Sequence, residues 1–164
     1  MTMRNYSNSE TLVANIPYFL MLIIGALTIA ISFQFVAGAI VGAIVYFVYG
    51  VIGMFWIMIF VCPYCAYYNT RGCPCGYGII ASKIVKKGDH NCFAVKFKRH
   101  IPVIVPLWFI PVICGGVSLW NSYSWPLIVI VMVFIVESFV ILPLVSKRHG
   151  CIECPQKDAC PWMG

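Results

Sequence analysis

Between Ile16 and Val61 the chain runs for 46 residues without one charged side chain. About 20 helical residues cross a hydrocarbon core of about 30 Å, so this run is long enough to cross it twice. Backbone polar groups in lipid must be satisfied within the protein, and a continuous apolar run meets that demand as helix. Ser32-Phe33-Gln34 is its least apolar point. A tight turn there gives one helix over 12–31 and a second over 35–61. Gly38 with Gly42, and Ala26 with Ala30, are small-xxx-small pairs that let neighbouring helices approach closely.

Two further apolar runs follow. The third span, 101–120, contains Pro102, Pro106 and Pro111 and then Gly115-Gly116; its prolines remove backbone donors and bend a helix unless neighbours re-satisfy the freed carbonyls. The fourth span is 126–145. Over the whole chain 62% of residues are hydrophobic and 10% charged, against roughly 45–50% apolar in soluble domains. These proportions leave too little polar surface to face water all round. The expected fold is an all-α integral membrane bundle of four transmembrane helices, two hairpins in one domain over 1–164. Met1 to Leu12 is polar, with no short apolar core ending in a small-residue cleavage site, so the first run is expected to stay in the mature protein.

The net charge of +6 does not point to nucleic acid, because the cations sit between and after the apolar runs. Loop 62–100 carries Arg71, Lys83, Lys86, Lys87, Lys96, Lys98 and Arg99 against the single acid Asp89. By the positive-inside tendency that loop is cytoplasmic. The neutral turn from Trp120 to Trp125, with aromatics at both ends, matches the opposite face. Lys147, Arg148 and His149 then bring tail 146–164 back, so the expectation is a multi-pass protein of the cytoplasmic membrane with both termini inside. Tyr77 to Lys87 reads as a short interfacial helix against anionic headgroups, or as an ordinary amphipathic connector. His100 reads best as a headgroup contact.

Cysteines are concentrated in the two segments expected on the cytoplasmic side. The loop reads C-x2-C-x7-C-x-C at Cys62, Cys65, Cys73 and Cys75, with Cys92 further on, and the tail reads C-x2-C-x5-C at Cys151, Cys154 and Cys160. Thiols facing the cytoplasm are kept reduced, which disfavours disulfides. Thiolates at C-x2-C spacing converge readily on one ion or cluster corner. Eight thiols satisfy one or two four-cysteine sites, for instance Cys62, Cys65, Cys73 and Cys75 in one, with Cys92 completing the tail triad in the other. Zinc and iron-sulfur clusters both take four thiolates. Cys-Pro recurs here at Cys62, Cys73, Cys154 and Cys160, as at the last ligand of bacterial ferredoxin runs, and Tyr64, Tyr67, Tyr68, Tyr77 and Trp162 are available as shielding aromatics. Iron is the preferred reading, as one or two four-iron four-sulfur clusters; zinc is the alternative.

The tail run Cys151-x2-Cys154-Pro155-x4-Cys160 resembles the C-x2-C-P-x4-C stretch of auxiliary four-iron cluster modules in radical-SAM enzymes, over about ten residues. That resemblance implies ligand roles for the three tail cysteines and nothing more. Cys62-Pro63-Tyr64-Cys65 resembles the dithiol of glutaredoxins, and a four-helix membrane chain with C-x2-C is similar to quinone-coupled disulfide-forming enzymes and vitamin K epoxide reductases. Those place their dithiols toward the oxidising side, whereas the cations here draw this one inward.

Glu137 is the one ionisable residue of the fourth span that lies inside the apolar run. At that depth an acid costs about 2.5 kcal/mol or more and marks a proton or substrate path. Glu137 is thus a proton-relay candidate, unless it is protonated and hydrogen-bonded to a neighbouring helix. Cys114, alone in the third span, reads as a small hydrophobe. Together these features predict an iron-sulfur electron-transfer subunit, more a part of a larger redox complex than a complete enzyme, working between a cytoplasmic donor and a membrane partner or quinone. The alternatives are a zinc-stabilised scaffold or assembly subunit, then a quinone-coupled dithiol oxidoreductase, and last a soft-metal transporter using an unwound third helix.

Overall fold

The computed structural model describes residues 5–33, 35–148, 154–157 and 160–161. Among them every regular element is helical and no strand occurs. In chain order they are α1 (Asn8–Ser32), α2 (Val36–Phe60), a 3-10 turn (Cys62–Tyr64), α3 (Tyr77–Ile84), a 3-10 turn (His90–Cys92), α4 (Phe93–His100), a 3-10 turn (Ile101–Val103), α5 (Pro106–Asn121), α6 (Trp125–Val136), a π-helical turn (Glu137–Ile141) and α7 (Leu142–Ser146). Four continuous helical stretches are long and apolar enough to cross a membrane: Asn8–Ser32, Val36–Tyr64, His90–Asn121 and Trp125–Ser146. These are the helices of a multi-pass membrane protein.

α1 begins four residues before its apolar run because its first turn is capped. Ser7 N–H donates to Glu10 Oε2 at 2.8 Å and Glu10 N–H donates to Ser7 Oγ at 3.3 Å. This reciprocal pair satisfies two donors that a helix start leaves orphaned.

The residues fall into two compact units, Pro17–Ile52 with Ile104–Pro143, and Met1–Ile16 with Gly53–Val103 and Leu144–Gly164. The first unit has a core of Met21, Leu22 and Ile29 from α1, Tyr46 from α2, Leu107 from α5 and Phe134 from α6. Its outer faces are apolar as well: Val41, Ile44 and Val45 of α2, Ile113 and Val117 of α5, and Val129 and Met132 of α6 are all exposed. A water-soluble surface rarely carries such continuous apolar area, whereas acyl chains solvate it without cost.

Close helix approach in this unit depends on three glycines. A Cβ on Gly25 would lie 2.5 Å from Tyr46 Oη, one on Gly50 would collide with Leu22, and one on Gly115 would lie 2.5 Å from Val131 Cγ2. Gly42 is the tighter member of its pair with Gly38, its Cβ position 3.0 Å from Ile29 Cγ2, where that of Gly38 meets nothing nearer than Phe33 at 3.6 Å. The polar side chains here repair the backbone. Pro111 of α5 has no N–H to return to Leu107, and Tyr46 Oη donates to that carbonyl at 2.9 Å instead. α5 therefore stays helical from Pro106 through Gly115-Gly116 to Asn121.

The second unit carries the cysteine-rich segments. The ring of His100 at the end of α4 stacks on Phe60 at 5.0 Å, 17° from parallel, with Trp56 5.9 Å away. α3 presents Ile80, Ile84 and Lys83 outward, with Lys86 and Lys87 exposed beyond its end. α4 buries Phe93 and exposes Val95, Lys98 and Arg99.

Candidate functional site

The loop that leaves α2 is folded by a chain of short-range backbone bonds. Pro63 fits the first positions of the Cys62–Tyr64 turn, where an N–H would be unpaired in any case, and Cys65 N–H closes the turn on Cys62 carbonyl at 3.1 Å. Tyr68 N–H then reaches Cys65 carbonyl at 3.0 Å. Asn69 adopts a left-handed conformation, φ 57°, and its N–H crosses to Gly78 carbonyl at 3.1 Å. Asparagine tolerates this region better than other residues with a side chain.

Gly76, at φ 73°, starts α3 after Cys73 and Cys75. The start of α1 braces the same loop: Tyr6 N–H donates to Arg71 carbonyl at 2.9 Å, and Asn15 Nδ2 donates to Cys75 carbonyl at 3.1 Å.

Among the described residues of the tail, Gln156 ties it to this loop. Gln156 Oε1 accepts the N–H of Ala66 at 2.8 Å, while its Nε2 donates to His90 carbonyl at 3.3 Å and reaches Tyr64 carbonyl at 3.5 Å. The His90 Nδ1 also lies 3.3 Å from the Tyr64 carbonyl, and Gly88 N–H donates to Pro63 carbonyl at 3.0 Å. Lys96 Nζ sits 5.0 Å from the centre of the Tyr64 ring. Around Gln156 the tail folds as a turn, Lys157 N–H to Cys154 carbonyl at 3.1 Å and Cys160 N–H to Lys157 carbonyl at 3.2 Å.

This docking brings thiols from both segments within electrostatic reach of one another. Cys62 interacts with Cys73, Cys65 and Cys75. Burial pushes the Cys65 thiol up to about 12; the N–H of Tyr67 opposes this, and the sulfurs of Cys73, Cys154 and Cys160 add to it. Burial likewise raises Cys154, with Cys160 and Cys73 adding to the rise and the Gln156 backbone opposing it. Cys62, Cys65, Cys73, Cys75, Cys154 and Cys160 are all half-buried and none is in a disulfide. Cys92 is exposed, and neither Cys65 nor Cys154 interacts with it. Cys151 and His149 lie outside the described residues. Cys114 stands in the other unit, half-buried in α5.

In kind, this donor set suits a thiolate-bound ion or cluster: six soft sulfurs in partly dry surroundings. In position it is not closed, since among the described residues no three or more histidine, cysteine, aspartate or glutamate side chains are gathered tightly enough to hold a metal ion. Gln156 and Asn15, which hold the arrangement together, carry no signal in the sequence; only the proximity of Gln156 to Cys154 hints at it.

No known family, curated protein or solved structure matches the chain.

Proposed function

We propose that the chain is an electron-transfer subunit of the cytoplasmic membrane in which thiols of the loop and the tail together hold an iron-sulfur cluster. The observation that supports it is the docking of Gln156 on Ala66, which draws Cys154 and Cys160 toward Cys65 and Cys73 from 90 residues away in the sequence. On this reading Cys65, Cys73, Cys154 and Cys160 are the first candidates for ligands, with Cys62 and Cys75 beside them. Cys151 remains a candidate from its spacing, and Cys92 is the weakest.

A bound cluster supplies a one-electron redox centre. The chain's own contribution is to hold the tail against the loop through Gln156, to screen the sulfurs with Pro63, Tyr64 and Tyr67, and to brace Cys75 through Asn15. The seven cations of loop 62–100 favour a cytoplasmic face, where a soluble donor has access. A larger redox complex or a quinone would take the electron onward within the membrane.

Anoxic purification tests this directly. Iron and acid-labile sulfide in equal amounts, with an electron paramagnetic resonance signal on dithionite reduction, are the expected result. Stoichiometric zinc without iron would instead make the site the structural clasp of a scaffold subunit. A metal-free protein whose Cys62 and Cys65 cycle between dithiol and disulfide with a quinone would establish the dithiol oxidoreductase.

A further inference from the structure

We propose that Glu137 and Ser138 form a membrane-buried proton-exchange site, in which the Glu137 carboxylate takes up one proton and releases it again. The site lies in the unit Pro17–Ile52 with Ile104–Pro143 and stands independently of the thiols.

Glu137 is 6% exposed and Ser138 1%, yet Glu137 Oε1 and Ser138 Oγ find no hydrogen-bond partner among the described residues. That sets them apart from the hydroxyls of Thr28, Tyr18 and Tyr46. Thr28 donates to Ile24 carbonyl at 2.8 Å, Tyr18 to Gly50 carbonyl at 2.8 Å and Tyr46 to Leu107 carbonyl at 2.9 Å. A buried carboxyl with a purely structural role is hydrogen-bonded, and a buried charge is paired. Glu137 is neither.

Its backbone setting is also distinct. The helix widens into a π-turn over Glu137–Ile141, with Leu142 N–H bonded to Glu137 carbonyl. Pro143 follows and has no N–H for Phe139 in an α register or for Ser138 in a π register. At least one carbonyl is thereby freed beside the carboxyl and the hydroxyl. Widened turns of this kind recur at functional sites, and freed carbonyls next to an acid give a proton or a water alternative oxygens to bind.

The other titratable side chains of the unit are Tyr18, Tyr46, Tyr49, Tyr123 and Cys114, all uncharged phenols or a thiol. The unit holds no lysine, arginine or histidine. With no cation in the unit to hold a permanent carboxylate, the carbonyl freed by Pro143 is an oxygen with which its proton can be shared and exchanged.

Dicyclohexylcarbodiimide, a lipid-soluble reagent that adds to protonated carboxyls, tests the proposal on the purified protein in lipid nanodiscs. Mass spectrometry of the peptides separates Glu137 from Glu10 and Asp89. The expected result is an adduct on Glu137 whose yield falls along a one-proton titration curve as pH rises, and loss of the adduct in Glu137→Gln. Acid-minus-alkaline infrared difference spectra supply a second reading, through a carboxyl stretching band absent from Glu137→Gln. An adduct yield independent of pH overturns the proposal, because it makes Glu137 a permanently protonated structural group. So does the absence of a pH-dependent carboxyl band in the infrared together with no adduct.

Discussion

The side-chain oxygen of Gln156 accepts the backbone N–H of Ala66 at 2.8 Å, and the same amide donates to the carbonyl of His90 at 3.3 Å. One residue of the tail thus ties two turns of the loop, between the Cys65 step and the Cys92 step.

Gln156→Ala removes these bonds and leaves a part-buried N–H unpaired, at a cost of about 1–3 kcal/mol. Tail release should become roughly 5–30-fold more frequent for each 1–2 kcal/mol lost. Limited trypsin digestion at Lys157 measures it directly, and metal bound per chain after gel filtration should fall in parallel. Unchanged digestion would show that other contacts hold the tail.

Thiol reactivity separates the cysteines by environment. In metal-free protein at pH 8, Cys92 should be alkylated by iodoacetamide well before Cys65 or Cys154, since those two are held neutral by burial and the thiolate is the nucleophile. The sign for metal follows. A folded-state pKa of about 12 at Cys65 keeps its proton on at neutral pH, so a metal that binds its sulfur must displace that proton. Affinity should therefore rise with pH, with proton release measurable by titration calorimetry in two buffers of different ionisation heat. For the metal-free fold the sign is opposite: the raised thiol pKa stabilises below the unfolded value near 9, and that stabilisation is lost as pH climbs toward 12.

Tyr46 and Pro111 should be energetically coupled. Tyr46→Phe strands the Leu107 carbonyl that Pro111 already leaves without its helical donor, which should cost about 0.6–1.7 kcal/mol in a membrane bundle. In a Pro111→Ala background the helix supplies its own N–H, and the same Tyr46 change should cost less. Thermal or detergent unfolding of the four proteins in a double-mutant cycle gives the coupling; a value of zero would remove the repair role assigned to Tyr46.

Adjacent glycines of α5 should answer differently to the same change. Gly115→Ala places a Cβ 2.5 Å from Val131 Cγ2 and should destabilise by about 1–3 kcal/mol. Gly116→Ala meets nothing within 4 Å and should be neutral or mildly stabilising. Unfolding midpoints of the two variants, compared side by side, decide the point.

The helices were legible because lipid imposes a simple rule: apolar runs from Ile16 to Val61, and later through 101–120 and 126–145, have nowhere to go but across. Their finer features were less so. The first turn of α1 is polar and is helical through the Ser7–Glu10 capping pair, and no residue periodicity marks the π-turn over Glu137–Ile141. Gly38 and Gly42 have the spacing of a packing motif, yet the tightest approaches fall at Gly25, Gly50 and Gly115, because contact partners such as Tyr46 and Leu22 are set by the tertiary arrangement. At the thiol site the spacing marked the cysteines, but their grouping rests on Gln156, an amide that no periodicity or motif singles out.

The dependence of that grouping on Gln156 has a consequence for biogenesis. During translation Ala66 leaves the ribosome 90 residues ahead of its partner, an interval on the order of 5–20 s at ordinary elongation rates. Until then Cys62, Cys65, Cys73 and Cys75 of the nascent loop have nothing from the tail beside them, so the joint arrangement of loop and tail thiols forms only once residues 154–160 have been made.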